Sequence, residues 1–143
     1  MRRRAVLPIS TVLYLVVVAW ITLNPAPGDP ARNPLLESVL RALAAVPVLR
    51  WIDYPVTEFT ANVLLFLPMG ALFTLLLGRW RWWLAWAIGV AATLVIEFVQ
   101  LFLPARVSDA SDLVANTLGT LLGIGLVLLV ARGRRQAGES ART

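Results

Sequence analysis

The sequence predicts an all-α membrane protein, a four-transmembrane-helix bundle with a short helix in its first outer loop. Three observations predict it. Hydrophobic residues make up 59% of the 143 and charged residues only 15%, whereas soluble domains sit near 45–50% apolar and about 25% charged. Four apolar runs each approach the ~20 residues that a spanning helix needs. The arginines gather at alternate ends of those runs.

The first run is 5–23, behind Arg2, Arg3 and Arg4. At ~1.5 Å per residue it reaches roughly 28 Å, about one hydrocarbon thickness. A basic start and an apolar run also describe a signal peptide. Asn24-Pro25-Ala26-Pro27-Gly28 offers no convincing small-x-small cleavage site, so a retained helix is expected. The segment 24–34 holds four prolines and reads as a stiff linker. Next, 34–46 sets Leu35, Leu36, Val39, Leu40 and Leu43 on one helical face. Glu37 and Arg41, four apart, can pair across a turn. This helix either lies in the interface or caps the bundle.

The second run is about 59–78 with Asn62 and Pro68 inside it, and Pro68 should kink the helix. The third is about 82–103 with Glu97 and Gln100, and the fourth about 111–131 with Asp112 and Asn116. Residues 1–131 thus form one membrane domain, and the polar stretch 132–143 reads as a disordered tail. Threading the chain back and forth puts Arg2–Arg4, Arg79, Arg81, Arg132, Arg134 and Arg135 on one side. The positive-inside rule makes that side, and both termini, cytoplasmic. Trp80, Trp82, Trp83 and Trp86 mark one boundary, and Trp20, Trp51, Tyr54 and Phe59 the other.

That topology places Asn62, Glu97, Gln100, Asp112 and Asn116 at one depth beneath the outer boundary, from three helices. Glu58, Arg106, Ser108 and Asp109 lie just above. Gly89, Thr93, Glu97 and Gln100 form one helical stripe; Asp112, Ala115, Asn116, Gly119 and Gly123 form another. Gly119 and Gly123 are spaced for close helix packing. A carboxylate in hydrocarbon costs about 2.5–3.5 kcal/mol, so Glu97 should line a cavity or meet a partner, with Arg106 the nearest candidate. The plainer readings are caps at Ser108, Asp109 and Ser111, and interhelical hydrogen bonds at Asn62, Gln100 and Asn116.

With no Cys and no His, disulfides, thiolate or imidazole metal sites and His-based triads are excluded. No cofactor, metal site or catalytic residue is expected, and the arginine pattern points to membrane orientation rather than nucleic acid.

These residues carry a resemblance. Asn62-x-x-x-Phe66-x-Pro68-x-Gly70, then Glu97-x-x-Gln100, Arg106-x-x-Asp109-x-x-Asp112 and Asn116-Thr117-x-Gly119-x-x-x-Gly123 follow the order of motifs in the VanZ-like membrane protein family. The match covers about 62–123, and Met69 stands where many relatives carry Phe. The resemblance implies a bacterial envelope protein and a link to teicoplanin-type glycopeptide resistance, without supplying a reaction. Its expected partners are membrane lipids and a cell-wall precursor or glycopeptide. The ligand-binding set is Asn62, Glu97, Gln100, Arg106, Asp109, Asp112 and Asn116. An intramembrane enzyme acting on lipid-linked substrates and a structural subunit of an envelope complex remain alternatives. Against the enzyme, no nucleophile or compact metal motif stands out.

Overall fold

The computed structural model describes residues 2–23, 34–46, 52–103 and 109–140. Within them lie five α-helices: α1 (Arg2–Leu23), α2 (Pro34–Ala45), α3 (Tyr54–Leu77), α4 (Trp82–Gln100) and α5 (Ala110–Ser140). No strand occurs among the described residues. Helices α1, α3, α4 and α5 are long and apolar enough to cross a membrane. Their exposed side chains suit lipid: Val6, Val12, Val16 and Trp20 on α1, Val95 and Phe98 on α4, and Leu126 and Leu129 on α5. Hydroxyls on these helices bond back to the preceding turn, as Thr11 Oγ1 does to Leu7 O and Thr74 Oγ1 to Gly70 O. This satisfies their donors where no water is at hand.

Helix α3 begins five residues before the apolar run that revealed it. Asp53 caps it, its side chain accepting from Val56 N at 3.1 Å. Pro55 fits the first turn, where its missing N–H is no loss. Gly78, at φ +83°, ends α3, and a 3-10 turn Arg79–Arg81 leads directly into α4. Helix α4 stops at Gln100 rather than Leu103. There the backbone tightens, Phe102 N bonding to Val99 O and Leu103 N to Gln100 O.

Helix α5 does not stop at Ala131. It continues to Ser140, where irregular chain was expected. Low hydropathy argued for disorder there, but Arg, Gln and Ala are good helix formers that prolong a helix already nucleated. Helix α2 forms where the apolar face predicted it, and Glu37 pairs with Arg41. Among the described residues α2 packs extensively against no other helix.

The centre of the bundle is the α3–α5 pair, the most extensive helix contact. Glycine makes it close. A Cβ on Gly70 would sit 1.9 Å from Thr120 O, one on Gly119 2.2 Å from Val63 O, and one on Gly123 2.0 Å from Leu67 O. Backbone therefore meets backbone, as small residues permit in membrane helices. Helix α4 lies against the pair through Gly89, whose Cβ would meet the Thr120 side chain. Phe66, Met69, Val18 and Ile96 form the buried cluster, flanked by Tyr14, Leu65 and Phe73.

Helix α1 is the most lightly held of the spanning helices. Hydrogen bonds to both α3 and α4 attach it. Tyr14 Oη donates to Leu65 O at 2.6 Å, and Gln100 Nε2 donates to Thr22 O at 2.8 Å. The first lies beside Pro68, whose ring removes a helical hydrogen bond one turn back. The second satisfies one of the last carbonyls of α1, which lack helical donors.

Candidate functional site

The bundle has two unlike poles. At one, α1 and α4 end and α3 and α5 begin. There lies a cavity of about 210 Å³. From α3 it is lined by Tyr54, Thr57, Glu58, Ala61 and Asn62; from α4 by Ile96, Glu97 and Gln100. Asp112 and Asn116 of α5 and Ile21 and Thr22 of α1 complete it.

All five polar residues that the topology placed at one depth thus line one cavity. Asn62 Nδ2 donates to Asp112 Oδ1 at 2.8 Å. Asn116 Nδ2 donates to Thr93 Oγ1 at 2.8 Å. Gln100 reaches across to α1, as above. Each bond joins two helices, so these amides hold the walls in position as well as lining them. Asn116 is only 3% exposed. Its Oδ1 is buried and has no hydrogen-bond partner among the described residues. A buried acceptor left without a donor is costly, and such atoms commonly await water or a ligand.

One predicted member, Asp109, stands apart. Asp109 is exposed and caps α5, its Oδ1 accepting from Ser111 N at 2.8 Å. It does not line the cavity. Ser111, offered as a cap, sits inside the first turn of α5 instead. Arg106, with Ser108, lies outside the described residues, and so does its expected pairing with Glu97.

Seven wall positions were not in the predicted set: Ile21, Thr22, Tyr54, Thr57, Glu58, Ala61 and Ile96. Tyr54 and Glu58 enter because α3 starts early, and Tyr54 Oη donates to Glu58 Oε1 at 3.1 Å. The Asp53-x-Pro55 pair was the signal for that start. Thr22 enters because α1 closes the fourth side, and its contribution to Gln100 is a backbone carbonyl that side-chain reading passes over.

Among the described residues, the ionisable lining groups apart from Tyr54 are the carboxylates Glu58, Glu97 and Asp112. The described wall is therefore acidic and rich in acceptors, with amide and hydroxyl groups between. No group of carboxylates among the described residues has the geometry of a metal site.

Fold and site together define a polytopic membrane protein of four spans with a polar cavity between its helices at one pole. The family model described as VanZ/LLP1 matches residues 11–131, and the chain belongs to that family. Comparisons with curated proteins and with solved structures gave no match. The matched region takes in every cavity residue and all the close-packing glycines. Its motifs have physical content here: Phe66 fills the core, Gly70, Gly119 and Gly123 bring α3 and α5 together, and Asn62 and Asp112 bond across them.

Proposed function

We propose that the cavity binds a cell-envelope ligand at the outer face of a bacterial cell membrane. The observation that carries this reading is the convergence of polar side chains from three helices, and a carbonyl-bearing turn of a fourth, on one cavity. Intramembrane polar groups are expensive, and such groups usually mark a ligand path or site. The size of the cavity supports a head group or one sugar- or peptide-sized portion of a lipid-linked wall precursor. An intact glycopeptide antibiotic is larger than a typical drug-sized site of about 300–1,000 Å³, so only part of one would enter. The wall chemistry favours hydrogen-bond donors on the ligand, ammonium or hydroxyl, to meet Glu58, Asp112 and Asn116 Oδ1. Arg106 would meet phosphate or carboxylate on the same ligand, for which its planar fork is suited. Any part in teicoplanin-type resistance would run through this binding.

The test is to measure binding of a lipid-linked wall precursor to the purified protein in nanodiscs, with teicoplanin susceptibility of the expressing cells beside it. Glu97→Gln and Asp112→Asn should weaken binding about tenfold or more, the loss of one charged hydrogen-bond partner, while insertion and yield are unchanged. Unchanged binding in both variants would discard the reading.

A second reading is favoured by the three interhelical hydrogen bonds of Asn62, Gln100 and Asn116: a structural subunit whose polar cluster only joins helices. In that case the same variants lower thermal stability and leave binding and susceptibility alone.

A further inference from the structure

The opposite pole has chemistry of its own. The sequence has no Asp or Glu between Glu58 and Glu97, and none between Asp112 and Glu139. The chain there carries Arg79 and Arg81 in the 3-10 turn and Arg132 and Arg134 on α5. Among the described residues no carboxylate forms an ion pair with Arg79 or Arg132. Gly78 breaks α3, and the 3-10 turn directs Arg79 and Trp80 to the level where α5 passes. Arg79, Trp80, Trp82, Leu128, Ala131 and Arg132 line a second cavity, of about 260 Å³. The Arg79 guanidinium carbon stands 5.7 Å from the centroid of the Trp80 ring, within cation–π range.

Arginines that only orient a chain in the membrane need charge, not placement. Here two arginines from separate helical elements line one recess with indole and aliphatic walls. We infer that this cavity binds the phosphate of an anionic phospholipid. Arg79 and Arg132 hold the phosphate oxygens, whose geometry the guanidinium fork matches. Trp80, Trp82 and Leu128 receive the glycerol and upper acyl segments. Basic pockets between spanning helices recognise anionic head groups by this chemistry.

A lipid fits better than soluble phosphate. The wall is mainly apolar, and Trp80, 82% exposed, marks the head-group level at the end of the spans. Arg132 follows Asn116 by sixteen residues of α5, about 24 Å along the axis. The site is therefore remote from the acidic cavity and stands or falls without it.

The test is native mass spectrometry of lipids retained by the full chain, released from nanodiscs of equal phosphatidylglycerol and phosphatidylcholine. The wild type should retain phosphatidylglycerol over phosphatidylcholine by about tenfold. Arg79→Gln combined with Arg132→Gln should bring the ratio near one. Arg134→Gln, outside the cavity wall, should keep it. Equal retention of both lipids by the wild type overturns the inference, and that comparison needs no variant to fold. Full preference in the double variant overturns it too. So does displacement of the lipid by millimolar inorganic phosphate, which would assign the cavity to a soluble anion.

Discussion

Asn62 Nδ2 donates to Asp112 Oδ1 at 2.8 Å, so the third turn of α3 and the first turn of α5 are joined in the wall of the acidic cavity. The same carboxylate that accepts this bond shares the cavity wall with Glu58 and Glu97. Asn62 thus both closes the helix pair and fixes where the Asp112 oxygens point.

Asn62→Ala should lower stability by about 0.6 kcal/mol and by no more than about 1.7, the span seen for interhelical hydrogen bonds in membranes. Unfolding in mixed micelles measures it. A double-mutant cycle with Asp112→Ala should recover most of that loss as coupling between the two positions. Additive losses would mean that the bond contributes nothing.

The glycine seam between α3 and α5 should be the least tolerant part of the chain. Gly70→Ala or Gly123→Ala forces the backbones apart and should cost about 1–3 kcal/mol, as overpacked sites do. Gly125→Ala is the matched control, because a Cβ there meets nothing within 4 Å. Thermal melts of the three variants in one detergent decide it.

Asp53→Ala removes the cap of α3 and should cost about 0.5–2 kcal/mol, whereas Asp53→Asn keeps most of it. The effect should be local. Amide exchange at Val56 and Thr57 should quicken, and ligand binding should fall because Tyr54 and Glu58 ride on that turn. Unchanged exchange at Val56 would mean that the Asp53 side chain does not hold the turn.

Tyr14→Phe and Gln100→Leu each remove a hydrogen bond that attaches α1, at about 0.6–1.7 kcal/mol apiece. The protein has no native cysteine, so spin labels can be placed at Ile21→Cys and Ala61→Cys without interference. The distance distribution between them should broaden in either variant and most in the double. A distribution as narrow as the wild type's would mean that packing alone seats α1.

The four spans and the shared level of Asn62, Glu97, Gln100, Asp112 and Asn116 were legible in the sequence, because hydropathy and the 3.6-residue period are strong signals in a membrane. Gly119 and Gly123 could be read as a packing seam, but Gly70 as their partner could not, since pairing across helices leaves no mark within one. The start of α3 was missed because Pro55, Thr57 and Glu58 depress hydropathy even though Asp53 and Pro55 favour a helix start. The extension of α5 through Arg132 and Arg134 was missed for the same reason: polarity was read as disorder. The place of α1 in the site was hidden because its contact with Gln100 is a main-chain oxygen, which any residue type supplies.

The close seam between Gly70 and Thr120 also says something about the order of biogenesis. The two strongest partners are not neighbours in the chain; α4 is made between them. While the ribosome is still extending α4, α3 has only a thin interface to rest on, and Asn62 faces acyl chains or an insertion factor without Asp112. The largest interface of the bundle is consequently available only once the last span has been made, and a chain cut before Gly119 would lack the seam between α3 and α5.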